Sequence, residues 1–106
     1  MSGWIDVAPV DQFPPGTQRE VDADGTSIVV FALDDGYFAL ENACSHDGGT
    51  LTGGCVQGER VICPRHGAQF SIRTGEALSA PAFEPAAVFP VEVQAGMVRV
   101  RDDRWD

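Results

Sequence analysis

The sequence contains no lysine, and its seven arginines are outnumbered by sixteen acidic residues. The formal net charge at pH 7 is -9, and the isoelectric point is about 4.4. A surface of this charge repels phosphate backbones and anionic lipid headgroups, so we expect no nucleic-acid partner. The same surface favours encounters with basic patches on other proteins.

Long apolar runs are also absent. The longest are Ile28–Leu33 and Ala86–Phe89, which are far too short to span a bilayer. The amino-terminal residues carry neither the basic segment nor the hydrophobic segment of an export signal. We therefore expect a cytoplasmic protein without membrane attachment, monomeric and built as a single domain over residues 1–106.

Helical signals are weak, because no stretch keeps a 3.6-residue apolar period for three turns. Strand-like segments instead alternate with turn motifs rich in Asp and Gly. These segments are Thr17–Val21, Ser27–Leu33, Tyr37–Leu40, Arg60–Ile62, Gln69–Ile72, Ala87–Val93 and Met97–Arg101. The spacing predicts a small all-β sandwich or barrel, interrupted at about residues 42–82 by a loop-rich insertion.

Cysteine and histidine are scarce and share one short stretch. All three cysteines and both histidines fall between Cys44 and His66. An odd cysteine count in a chain without an export signal argues against a disulfide framework. Two motifs, Cys44–His46 and Cys63–His66, each begin with a cysteine and end with a histidine, so each supplies one thiolate and one imidazole. The sequence therefore predicts a metal site.

A single zinc ion can accept two thiolates and two imidazoles, which leaves a zinc-binding interaction module as one interpretation. The spacers of one and two residues separate unlike ligands, however, whereas zinc sites usually pair like ligands across two to five residues. A centre with two metals fits better, because neighbouring ligands in one loop can then diverge to different ions.

The segments Cys44–Gly49 and Cys63–Phe70 resemble the two ligand boxes of the Rieske ferredoxins. Members of this family are small electron carriers, many of which serve bacterial ring-hydroxylating dioxygenases. The likeness extends to the turn Arg73–Glu76, the Pro81 loop and the closing hairpin, so it covers nearly the whole chain. The resemblance implies the Rieske fold, an antiparallel β-sandwich or barrel with an inserted subdomain whose two loops bind the cluster.

The resemblance also implies one [2Fe-2S] cluster per chain. Cys44 and Cys63 are then expected to hold the inner iron, and His46 and His66 the outer iron at the tip of the protein. The implied function is one-electron transfer rather than catalysis, from an NAD(P)H-dependent flavin reductase to a terminal Rieske-type non-heme iron oxygenase. A carrier for another redox pathway, such as iron–sulfur assembly, is the alternative.

Charge counting predicts a higher reduction potential than that of an all-cysteine cluster. Two ferric ions, two sulfides and two thiolates sum to zero, and the family window is about -150 to +300 mV. High-potential members brace the loops with a disulfide at the positions of Gly49 and Arg65. They also place hydroxyls near the sulfurs at the positions of Ala68 and Phe70. Because all four features are absent, we expect a potential at the low end.

Other residues in these segments have plainer interpretations. Cys55 matches no ligand position and is expected to be an uncoordinated thiol. Pro81 resembles the loop that shields the cluster from water, with a simple turn proline as the alternative. The acidic pairs Asp34–Asp35 and Asp102–Asp103 are expected to be a solvated turn and a solvated tail.

Overall fold

The computed structural model describes residues 3–23, 25–42, 51–63, 67–78 and 85–102. Within these ranges the chain forms ten β-strands and one 3-10 turn at Val10–Gln12. The strands, in chain order, are β1 (Ile5–Pro9), β2 (Gln18–Ala23), β3 (Thr26–Leu33), β4 (Gly36–Glu41), β5 (Cys55–Gln57), β6 (Arg60–Ile62), β7 (Gln69–Ser71), β8 (Val88–Phe89), β9 (Val91–Gln94) and β10 (Met97–Val100). The predicted all-β class is confirmed.

The described strands pair antiparallel in three sheets. Sheet I has the order β1-β10-β9, sheet II the order β2-β3-β4-β8, and sheet III the order β5-β6-β7. Sheet III lies entirely between β4 and β8 along the chain, so the loop-rich segment folds as an insertion with a sheet of its own. Among the residues described, no helix is long and apolar enough to cross a membrane.

Strand β3 separates two hydrophobic cores. Successive side chains of a strand point to opposite faces of its sheet. Val29 and Phe31 lie in one core, whereas Ile28 and Val30 lie in the other. All four are fully buried, which explains why this strand is a continuous apolar run rather than an alternating one.

The core between sheets II and III, here called the upper core, includes one of the predicted metal ligands. Its buried members are Val29, Phe31, Leu40, Leu51, Val61, Cys63, Ala68, Phe70, Ile72 and Ala86. Burial of each large apolar side chain contributes about 1.5–3 kcal/mol. The upper core therefore fixes sheet III, and the loops that extend from it, against sheet II.

The segment Ala87–Val93, predicted as one strand, forms two strands that belong to different sheets. Val88–Phe89 pairs with β4 in sheet II, and Val91–Gln94 pairs with β10 in sheet I. Pro90 lies between them and has no backbone N–H, so it cannot continue a strand ladder. The prediction of one strand was wrong because the chain crosses from sheet to sheet at this proline.

The predicted closing hairpin is confirmed. Gln94 pairs with Met97 across a two-residue loop. The loop residues Ala95 and Gly96 have φ angles of 52° and 78°, as a type I′ turn requires.

Candidate metal centre

The second predicted ligand motif begins where β6 ends. Cys63 is only 2% exposed and belongs to the upper core. Its backbone N–H donates to the carbonyl of Ala68 at 2.7 Å, and the N–H of Gly67 donates to the Cys63 carbonyl at 3.1 Å. Gly67 has a φ of 75°, in the left-handed region that favours glycine. Two backbone hydrogen bonds therefore join the ends of the β6–β7 connection, and Cys63 lies buried at its start.

The other predicted ligands lie outside the described residues. These are Cys44, His46 and His66, and Pro81 of the expected shielding loop is outside them as well. Within the described ranges, no three His, Cys, Asp or Glu side chains form a group that can hold a metal ion. The structure therefore bears on the site through Cys63 and through the residues that flank the first loop.

Both flanks of the first predicted ligand loop, residues 43–50, are held by Asn42. Its backbone N–H donates to the carbonyl of Ser27 at 2.9 Å, which fixes the chain entering the loop. Its side-chain Oδ1 accepts from the N–H groups of Leu51 and Thr52, both at 2.9 Å. The entrance and the exit of the loop are thus joined through one residue.

A second carboxamide holds the chain immediately after the exit. Gln18 Oε1 accepts from the N–H of Gly53 at 2.9 Å, and Gln18 Nε2 donates to the carbonyl of Gly54 at 3.0 Å. Position 54 requires glycine, since a Cβ there would lie 2.5 Å from the carbonyl oxygen of Ile62. Because Ile62 precedes Cys63, the exit of the first loop lies beside the start of the second.

Cys63 fits the role of a metal ligand. An isolated thiolate surrounded by buried apolar side chains is costly, whereas coordination to ferric iron neutralises its charge. The upper core around it includes Leu51, Ala68 and Phe70, each fully buried and none carrying a hydroxyl. Cys55 is different, because it is exposed on β5.

Arg73 connects sheet III to sheet II. Its guanidinium donates to both carboxylate oxygens of Asp35 in the β3–β4 turn and to the carboxylate of Glu59 in the β5–β6 turn. The guanidinium carbon lies 4.9 Å from the ring centroid of Phe38. The hydrogen bonds from Arg73 hold the pKa of Asp35 below its usual range.

The structure corrects the interpretation of one acidic residue and adds a partner to another. Asp35 is exposed in its turn, as expected, and also pairs with Arg73. Asp102 is 2% exposed and accepts from the Thr26 hydroxyl at 2.9 Å, so it anchors the chain after β10 to the β2–β3 hairpin. Asp103 lies outside the described residues. Sequence patterns did not indicate the roles of Asn42, Gln18 or Arg73 either, because their partners are distant in the chain or are backbone groups.

Comparisons with known proteins agree on one family. Residues 3–90 match the Rieske [2Fe-2S] domain. Ferredoxin CarAc of Metapseudomonas resinovorans is 34% identical over 102 residues, which cover 95% of each chain. The biphenyl dioxygenase ferredoxin subunit of Pseudomonas sp. (strain KKS102) is 35% identical over 92 residues, covering 86% of this chain and 84% of that protein.

A solved structure gives the same result. It is the complex of reduced oxygenase and oxidized ferredoxin in carbazole 1,9a-dioxygenase, and one of its chains matches with a TM-score of 0.87 and 36% sequence identity. The match covers 92% of this chain and 91% of that chain. The predicted family, Rieske fold, [2Fe-2S] cofactor and electron-carrier role are confirmed, and the zinc interpretation is set aside. This chain belongs to the Rieske [2Fe-2S] domain family and is a ferredoxin-type electron carrier rather than a catalytic subunit.

Proposed function

We propose that this ferredoxin carries single electrons from an NAD(P)H-dependent flavin reductase to the terminal oxygenase of a ring-hydroxylating system. The observation that carries the proposal is the likeness, over nearly the full length, to a ferredoxin solved together with its oxygenase. The named relatives are likewise ferredoxin components of dioxygenase systems. The proposal includes a monomeric, cytoplasmic protein with one domain over residues 1–106.

The proposed ligands are Cys44 and Cys63 for one iron and His46 and His66 for the other. When bound, a cluster of this type gains and loses one electron. The chain itself supplies the two loops, holds their ends together and excludes water from the Cys63 side. The burial of Cys63 beside the exit of the first loop supports this assignment.

We also propose a reduction potential at the low end of the Rieske window. Hydroxyl or amide donors near the sulfurs stabilise the reduced cluster because it carries the additional negative charge. Ala68 and Phe70 are buried and have no side-chain donor. A low potential suits a carrier that must pass its electron onward to an oxygenase.

The proposal is tested by measuring two electron transfers in turn, from a reductase to this protein and from this protein to an oxygenase. The holoprotein is reduced with NADH and a catalytic amount of a ferredoxin reductase, and it is then mixed with oxidised oxygenase of the carbazole or biphenyl system. We expect the visible spectrum of this protein to bleach in the first step and to recover in the second as the oxygenase is reduced. A Cys63→Ser variant, expected to lack the cluster, is the control for direct transfer from the reductase.

A protein that stays reduced with both oxygenases would contradict the proposed acceptor. If iron–sulfur assembly proteins reoxidised it instead, the alternative redox pathway would replace the dioxygenase role. Neither outcome would alter the family assignment, because that assignment rests on the matches over most of the chain.

A further inference from the structure

The side chain of Asn42 is almost completely buried and uses both ends of its carboxamide. It is 4% exposed, although it lies at the end of the described segment that precedes the first loop. Oδ1 accepts two backbone hydrogen bonds, from Leu51 and Thr52. Nδ2 donates to Glu20 Oε2 at 2.8 Å and to Ser27 Oγ at 3.1 Å.

These hydrogen-bond partners allow the Asn42 carboxamide only one orientation, with Oδ1 toward residues 51 and 52 and Nδ2 toward Glu20 and Ser27. The Ser27 hydroxyl also donates to Glu20 Oε2, at 3.1 Å, so the two groups form one acceptor site for the Asn42 amide. A flipped amide would place its N–H groups against the N–H groups of residues 51 and 52 and its oxygen against a carboxylate. Buried polar groups left without partners in this way are costly, and the orientation is therefore fixed.

We propose that Asn42 is a positioning residue for the [2Fe-2S] cluster, because it sets the separation of the two ends of loop 43–50. The inference rests on the proposed ligand set, in which this loop carries Cys44 and His46. A short loop whose two ends are fixed has few backbone arrangements, so the directions of its ligands depend on its anchor points. Groups that orient metal ligands without touching the metal tune both affinity and electronic properties.

Gln18 provides a matched control. Its carboxamide also reaches from sheet II to backbone groups after the loop, but it binds Gly53 and Gly54 rather than the first residues of the exit. Loss of either carboxamide removes hydrogen bonds between sheet II and the same stretch of chain. Of these two side chains, Asn42 is the one that joins the exit of the loop to its entrance, so its loss is expected to change the cluster more than loss of Gln18 does.

The experiment compares Asn42→Ala, Gln18→Ala and wild-type holoprotein purified anaerobically. The readouts are the EPR g values of the reduced cluster, the reduction potential, the rate of cluster loss to an iron chelator, and the thermal unfolding midpoint. We expect Asn42→Ala to shift and broaden the g values, to change the potential and to lose its cluster roughly 10- to 100-fold faster. Gln18→Ala is expected to lower the unfolding midpoint, with smaller changes in the g values and the potential than Asn42→Ala shows.

If Asn42→Ala does not take up a cluster, two further variants, Asn42→Asp and Asn42→Asp combined with Glu20→Gln, still test the inference. Asn42→Asp alone keeps the acceptor for residues 51 and 52 but opposes its second oxygen to the Glu20 carboxylate. Adding Glu20→Gln restores a donor at that contact. We therefore expect altered g values and potential in Asn42→Asp, and wild-type values in the double variant.

Four results separate the possibilities. Wild-type g values, potential and chelator kinetics in Asn42→Ala would overturn the inference, as would changes that Gln18→Ala reproduces in full. A shift in Asn42→Asp that persists in the double variant would overturn it as well. A wild-type protein without the rhombic EPR signal of a Rieske cluster would instead refute the proposed ligand set.

Discussion

The guanidinium of Arg73 donates two hydrogen bonds to the carboxylate of Asp35, at 2.7 and 2.8 Å, across the boundary between sheets III and II. Both side chains are at least a third exposed, so solvent screens the pair. Its geometry is nevertheless favourable, because Nη2 contacts both carboxylate oxygens and Phe38 lies beneath the guanidinium. The pair therefore joins sheet III to sheet II at the surface, outside the upper core.

This ion pair predicts a pH-dependent contribution to stability. The pKa of Asp35 is lower in the folded protein than in the unfolded chain. Its contribution is therefore fully present above the unfolded-state pKa, and it is lost as pH falls through the folded-state pKa. We expect Asp35→Asn to lower the free energy of unfolding at pH 7 and to make little difference at pH values below the folded-state pKa.

Urea unfolding of wild type and Asp35→Asn at several pH values measures this difference directly. Asp34→Asn is the control, since Asp34 is not among the partners of Arg73 described above. A difference between Asp35→Asn and wild type that stayed constant from pH 7 to acid would show that the carboxylate charge does not contribute.

The close approach of Gly54 to Ile62 can be tested by adding a methyl group at position 54. A methyl group at this position would lie 2.5 Å from the carbonyl oxygen of Ile62 and 2.9 Å from that of Leu51. Backbone atoms cannot move aside as the end of a flexible side chain can. We expect Gly54→Ala to reduce the free energy of unfolding by about 1–3 kcal/mol, and to weaken cluster retention because the chain at Gly54 must move away from Ile62, the residue before Cys63.

Gly3→Ala is the matched control, because a methyl group at that position meets no atom within 4 Å. Denaturant unfolding and the rate of bleaching by a chelator are measured for both variants. Equal behaviour of the two would mean that the close approach of Gly54 to Ile62 is not required.

The fold was largely predictable where local patterns determine it. The strands around residues 18–41 follow from apolar segments separated by Asp-Gly turns, and the closing hairpin follows from its Ala95–Gly96 loop. Strands β1 and β5 were not predicted. Strand β1 pairs with β10 from the other end of the chain, and β5 is a mostly exposed strand of three residues. The division at Pro90 depends on which sheet each half joins, and this is a long-range property.

The candidate site likewise has parts that the local sequence predicts and parts that only the tertiary structure reveals. The positions of Cys63 and of the cysteine–histidine motifs can be recognised because ligand spacing is local. The support from Asn42, Gln18 and Arg73 cannot, because their bonds span up to 38 residues and several end on backbone groups of any sequence. A polar residue within or next to a strand shows its role only once the tertiary structure brings the partner to it.

Replacement by serine is expected to have opposite effects on cluster retention at the two described cysteines. Cys63 is buried at the start of the second proposed ligand loop, whereas Cys55 is exposed on β5. We expect Cys63→Ser to abolish stable cluster assembly and to destabilise the upper core, since cluster binding and local folding are linked. Cys55→Ser is expected to keep the visible spectrum and to change the free energy of unfolding by no more than about 0.5 kcal/mol.

Iron and acid-labile sulfide contents, together with the visible spectrum, distinguish the two variants. Cluster loss in Cys55→Ser with full retention in Cys63→Ser would reverse the proposed assignment of the cysteines.

The net charge of -9 predicts how this protein meets its proposed oxygenase partner. If acidic residues steer the encounter with a basic surface, the second-order rate of association with that oxygenase should fall as salt is added. The Debye length decreases from about 10 Å at 0.1 M to about 3 Å at 1 M ionic strength. Electron transfer within the formed complex should change little, because it depends on the contact geometry rather than on the approach. Stopped-flow mixing at several salt concentrations separates the two steps. A second-order rate that is flat or rises with salt would show that docking is mainly apolar.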